Sequence, residues 1–64
     1  MKRLLIEFNN GLVPTNVMVV LEDNQDPKEY FENDMMKDED FVNNMCYGKC
    51  EYLGFEVLTK WPTN

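Results

Sequence analysis

Covalent and acid–base catalysis need side chains that this chain lacks or places poorly. Among its 64 residues there is no serine and no histidine, and Thr15, Thr59 and Thr63 fall in turns or at strand ends with no base to activate them. Carboxylates are abundant instead, with nine of the 12 Asp and Glu residues lying between Glu22 and Asp40. At that density some pair must lie close together whatever the fold, so closeness alone assigns no general acid or base. The reading is a protein that is not an enzyme and has no catalytic residue.

The cysteines are the next candidates. Cys46-Tyr47-Gly48-Lys49-Cys50 is neither the Cys-x-x-Cys of redox proteins nor half of a four-ligand zinc site. Zinc would need two further ligands, which without histidine only carboxylates could supply. On a continuous helix the two Cβ atoms would lie about 5–6 Å apart, beyond the roughly 3.8 Å of a disulfide. Gly48 could turn the chain and bring them together, but a cytosolic setting keeps thiols reduced. The expectation is Cys46 as a small core residue and Cys50 as a partly exposed free thiol. A calcium loop of the form Asp-x-Asp/Asn-x-Asp/Asn-Gly fails as well, because Val42 follows Asp38 and Asp40, and Gln25 and Pro27 follow Asp23. No metal ligand and no cofactor is expected.

What the acids can do is attract. Glu22, Asp23, Asp26, Glu29, Glu32, Asp34, Asp38, Glu39 and Asp40 face only Lys28 and Lys37, a local balance of −7, whereas the rest of the chain is slightly basic and the total is −6. Nucleic acid and anionic membrane need clustered Lys or Arg to displace counterions, so neither is expected as a direct ligand, and a basic protein is the natural partner. On helical structure, with a rise of about 1.5 Å per residue, nine acids over this stretch give one charge per roughly 3 Å, near the 3.4 Å per phosphate of one DNA strand.

The elements that must hold these residues follow from periodicity and turn chemistry. Residues 3–8 alternate as a strand, with Leu4, Ile6 and Phe8 on one face and Leu5 and Glu7 on the other. Asn9-Asn10-Gly11 breaks it as a hairpin signal, and with Pro14 following, a loop of five or six residues is expected. In the second strand, 16–22, Val17, Val19 and Leu21 oppose Met18, Val20 and Glu22; two largely apolar faces suit a central strand or one covered on its second face by a partner. Asp26-Pro27-Lys28-Glu29 combines an N-cap, a proline at the first helical position and a capping-box Glu. The apolar stripe of Tyr30, Phe31, Met35 and Met36 then loses phase and resumes at Phe41, Val42, Met45 and Cys46. Two short helices, about 27–36 and 39–46, with Asp38 capping the second, account for this better than the alternative of one kinked helix. Gly48 is expected just past the helix end. Tyr52 to Thr59 reads as the third strand, with Leu53, Phe55 and Val57 on one face and a bulge signalled at Gly54.

The predicted fold is therefore α+β: one small domain over 1–64, β-β-α(α)-β, with a three-stranded antiparallel or mixed sheet and a helical layer on one face. No apolar run reaches the roughly 18 residues of a membrane span, and Glu7 interrupts the first apolar run too soon for a signal peptide, so a cytoplasmic protein is expected. Abundant Asn, Lys, Met, Tyr and Phe with no alanine is what an AT-rich gene encodes, a pattern shared by many small phage and mobile-element proteins.

Two functions fit. One is an acidic inhibitor, encoded by a phage and acting in the host cytoplasm, that mimics DNA and occupies the basic groove of a nucleic-acid-binding or defence protein. Its partner-binding residues would be Asp26, Glu29, Glu32, Asp34, Asp38, Glu39 and Asp40, with Tyr30, Met36 and Trp61 as apolar anchors. The other is an interaction or homodimerisation module whose interface is the second sheet face, Leu5, Met18, Val20 and Leu58, with the acids serving only solubility.

Overall fold

The alternation in β1 (Lys2–Asn9) sends Leu4, Ile6 and Phe8 into the core, where all three are fully buried, and leaves Leu5 and Glu7 on the opposite face. In the computed structural model of the chain, which describes residues 1–58, β1 is flanked by β2 (Pro14–Leu21) and β3 (Glu51–Val57). Both pair with it antiparallel, so the strand order is β2-β1-β3. Helices cover one face of the sheet, and the molecule is the small α+β domain its sequence describes. Of the two placements that its apolar faces suit, β2 does not take the central one. The hairpin sets β2 on one side of β1, and the chain returning from the helices fills the other, which leaves β2 at the rim.

The hairpin is tighter than expected. Only residues 10–13 connect the strands, because Pro14 begins β2 at the rim, where its missing N–H is no loss. The side chain of Asn10 replaces the absent ladder, its Oδ1 accepting from Leu12 N–H at 2.9 Å and Val13 N–H at 3.0 Å. Within this loop Gly11 takes a positive φ, +102°, and Asn9 Oδ1 accepts its N–H at 2.9 Å.

Both predicted helix starts are present. Asp26 Oδ2 accepts from Glu29 N–H at 3.0 Å at the start of α1 (Pro27–Tyr30), and Asp38 Oδ1 accepts from Asp40 and Phe41 N–H at 2.9 and 3.4 Å at the start of α2 (Glu39–Met45). Beyond Tyr30 the first helix widens into a π turn over Phe31–Met35, whose end is marked by Met36 N–H donating to Phe31 O, five residues back, at 3.0 Å. The wider turn keeps both Phe31 and Met35 buried against the sheet without drawing Asp38 or Glu39 inward.

Phe8, Phe31, Phe41 and Tyr52 bring four elements together, with ring centroids 5.5 Å (Phe8–Phe31), 5.5 Å (Phe8–Phe41) and 5.8 Å (Phe31–Tyr52) apart. Each such pair contributes about 0.5–1.5 kcal/mol beyond its burial. Tyr52 reaches this cluster because of a bulge. Phe8 pairs with Tyr52 and Glu7 with Gly54, so Leu53 has no counterpart on β1. The shift corrects the simple alternation expected for the third strand: Tyr52 joins Phe55 and Val57 on the helical face, opposite Phe8, Ile6 and Leu4, while Leu53 leaves it.

The cysteines are also corrected. Cys46 and Cys50 form a disulfide, with Cα atoms 6.0 Å apart, and neither is a free thiol. α2 stops at Met45 with Cys46 already extended (φ −110°, ψ 120°), so the five residues are not helical and the helix-based separation does not apply. Gly48 is not a left-handed cap, since Gly11 and Gly54 are the only described residues with positive φ. Its role is contact with the hairpin: Tyr47 N–H donates to Asn10 O at 2.8 Å, and a Cβ built on Gly11 would lie 2.6 Å from Gly48 N.

Candidate functional site

The acidic residues sit on the helical layer and point outward. Asp26, Glu29, Glu32, Asp34, Asp38, Glu39 and Asp40 are all exposed. Two are engaged in capping, Asp26 and Asp38, whose carboxylates hold backbone N–H groups. Asp23 faces the Met1 amino group at 3.3 Å. Glu29, Glu32, Asp34, Glu39 and Asp40 form no ion pair with any described residue, although Lys28 and Lys37 lie on the same segment. Their field is therefore directed at solvent rather than neutralised within the fold.

The seven carboxylates do not form a single row. A turn at Lys37 separates the two helices, so the charge is a patch in two parts and not a line with phosphate-like spacing. Asp26, Glu29 and Asp34 line one side of an open groove of about 330 Å³ with Asn24, Gln25, Tyr30 and Asn33. Small-molecule pockets are mostly apolar, and this lining is polar throughout apart from the Tyr30 ring, so it belongs to the surface and not to a buried site. Asp38, Glu39 and Asp40 cluster at the start of α2, where the helix dipole favours them. Asp26 and Glu32 are near enough to Tyr52 to act on its ionisation: the phenol is held above its ordinary 10.0, first by burial, then by these two negative charges.

The apolar residues expected as anchors are placed differently. Tyr30 and Met36 are half-buried and pack against the cluster of Ile6, Phe8, Phe31 and Met35, which leaves only part of each for a partner. Trp61 lies outside the described residues. Among the described residues, no three of Cys, Asp and Glu converge as a metal-holding group, and no helix is long and apolar enough to cross a membrane.

Two apolar regions are exposed, of which sequence reasoning names the sheet face and misses the hairpin tip. At the hairpin tip, Leu12 and Tyr47 are 71% and 64% exposed on two loops joined by the Asn10–Tyr47 hydrogen bond. On the uncovered sheet face Met18 and Val20 are 54% and 52% exposed beside half-buried Leu5. The signal for the tip was present in Leu12-Val13 following Asn-Gly, but a turn motif predicts chain reversal and says nothing of what packs beneath it.

Set against protein-family models, curated proteins and solved structures, the chain matches none.

Proposed function

We propose that this protein is a non-enzymatic inhibitor whose acidic helical layer occupies the basic groove of a nucleic-acid-binding protein, in the manner of a DNA mimic. A composition of the kind that AT-rich genes encode accords with a phage origin, and a host defence or nucleic-acid enzyme would be the target. The observation that carries the reading is the outward, unpaired state of Glu29, Glu32, Asp34, Glu39 and Asp40. Asp26 and Asp38 cap helices and Asp23 is paired; the other five do neither, and a local −7 on 19 residues costs self-repulsion that a basic groove would relieve.

The test is capture from bacterial lysate at low salt, followed by competition. The captured protein should bind duplex DNA, should lose that DNA as this protein is titrated in, and should release this protein as salt is raised. A captured partner whose DNA binding is untouched, or whose capture is indifferent to salt, counts against mimicry.

A second reading, an interaction or homodimerisation module with an apolar interface, is favoured by the uncovered sheet face, where Leu5, Met18 and Val20 lie together and alternation adds Leu58, bonded through its N–H to Arg3 O at 2.8 Å. Salt separates the readings, because apolar contact does not weaken as the Debye length shrinks.

A further inference from the structure

The two rims of the sheet are built differently. β3 carries Glu51 and Glu56 and is bent by the bulge at Leu53–Gly54, both of which discourage a further strand. β2 has neither device. From Pro14 to Leu21 it holds no charged side chain, and all eight residues stay in regular register with β1. Its one protective residue, Pro14, sits at the first position, where it guards little of the strand.

Hydrogen-bond geometry specifies what this rim offers. Asn10 N–H donates to Val13 O at 3.1 Å, and bonded and non-bonded pairs alternate along an antiparallel ladder from that point. Phe8–Thr15, Ile6–Val17 and Leu4–Val19 are therefore the pairs that exchange bonds. Asn16, Met18 and Val20 turn their N–H and C=O groups away from β1. A second bond agrees with this phase: Arg3, opposite Val20, directs its C=O to the far side, where it accepts from Leu58 N–H. Among the described residues no strand pairs with the outer rim of β2.

We propose that β2 pairs antiparallel with β2 of a second copy across a two-fold axis at Met18, joining two three-stranded sheets into one. Such an axis stands normal to the sheet, so both helical layers fall on the same side and opposed residues share a face. Centred on Met18, the register sets Met18 against Met18 and Asn16 against Val20, so every outward N–H of β2 meets a C=O. On the helical side the half-buried Val17 and Val19 oppose each other. Centring on Val17 would set Val20 against Pro14, which has no N–H to give. Centring on Val19 would draw in Glu22, whose N–H is already held by Gln25 Oε1 at 2.8 Å. The strand's neutrality selects a second copy as occupant: it can meet itself without opposing like charges, whereas a basic partner finds nothing on this rim to attract it.

The experiment is sedimentation equilibrium of the full chain combined with amide exchange by NMR, as a function of concentration and salt. The expected result is a reversible dimer that tightens as salt rises, because two copies of net −6 repel at long range. Exchange at the Asn16, Met18 and Val20 amides should slow as the dimer fills, while Val17 and Val19, already bonded to β1, should change little. Met18→Lys, at an exposed position, should weaken self-association by about tenfold or more by opposing two ammonium groups at the axis. A chain that stays monomeric at every concentration overturns the proposal. So does a dimer in which those three amides exchange as freely as in the monomer, the result expected of two stacked open faces. If Met18→Lys fails to fold, the amide pattern of the unaltered chain still decides. Failure here leaves the acidic layer's proposed role untouched, since that interaction weakens with salt where this one strengthens.

Discussion

Pro14–Leu21 and Glu22–Asp40 are adjacent in the chain and opposite in kind: the first has no charged residue, the second has nine acids and two bases. The fold keeps them apart, one as a rim of the sheet and the other as the helical layer over one face. A chain this short thus presents two surfaces governed by different physics. On the two proposals above, the helical layer would act through a field that salt screens, and β2 through backbone groups and apolar contact that salt does not weaken. The same substitution type should therefore have unlike effects in the two regions.

The largest expected effect tests the charged half of that contrast. Glu32→Lys, Asp34→Lys, Glu39→Lys and Asp40→Lys together should abolish binding to the captured partner, since each close charge pair is worth roughly 1.5 kcal/mol or more and reversal replaces attraction with repulsion. All four are exposed and none has a capping bond, so the domain should remain folded. Asp38 is left unaltered because its carboxylate caps α2. Calorimetry at low salt showing equal affinity for this variant would remove the mimic reading, and Met18→Lys serves as the control that should leave this affinity unchanged.

Next in size is the disulfide, which belongs to neither surface. Closing a five-residue loop should contribute about 2 kcal/mol on the chain-entropy account. Cys46→Ser with Cys50→Ser should lower stability by that amount in urea titration and leave partner binding unchanged. The loop it closes lies against the hairpin through Tyr47–Asn10 and Gly48–Gly11, so the Asn10 and Tyr47 amides should exchange faster in the variant. A binding loss without unfolding would mean that the tip of Leu12 and Tyr47 takes part in recognition.

Local signals were the legible part of this sequence. The caps at Asp26 and Asp38, the burial of Leu4, Ile6 and Phe8, and the break between two helices each depend on residues within a few positions of one another. What was not legible depends on non-local geometry. Whether β2 is central or at the rim is decided by where β3 docks, 30 residues later. The face that Tyr52 takes is decided by a one-residue slip, which inverts all alternation beyond it. The disulfide depends on α2 stopping at Met45, which leaves Cys46 extended where the sequence predicts helix. At the candidate surface the exposure of the acids could be read from the apolar stripes between them, but Tyr30 and Met36 could not be assigned to core or surface without the π turn.

Smaller effects separate the structural acids from the outward ones. Asp26→Ala and Asp38→Ala should each cost about 0.5–2 kcal/mol, because the orphaned N–H groups of Glu29, Asp40 and Phe41 lose their acceptor. Glu32→Gln and Asp34→Gln, which cap nothing, should shift the urea midpoint little and weaken partner binding instead. Equal destabilisation by all four would erase the distinction between acids that hold the fold and acids that face a partner.

The smallest effect concerns a point where the acidic layer and the sheet meet electrostatically. Tyr52 stacks on Phe31 and has its phenol pKa raised above 10.0 by burial and by Asp26 and Glu32. The folded state then holds the phenolic proton more tightly than the unfolded state does. The associated stability is fully present below the unfolded value near 10 and is lost as pH rises through the higher folded value. Tyr52→Phe removes this group's titration and keeps the ring. Chemical denaturation of the two proteins from neutral pH to beyond 10 should show stabilities that run parallel at neutral pH and diverge above 10, the native chain falling faster. Asp26→Asn should reduce the divergence in part and not abolish it, since burial is the larger cause and Glu32 remains. Parallel curves across the whole range would show that the carboxylates of the helical layer do not reach the aromatic cluster, and the two regions would then be electrostatically independent.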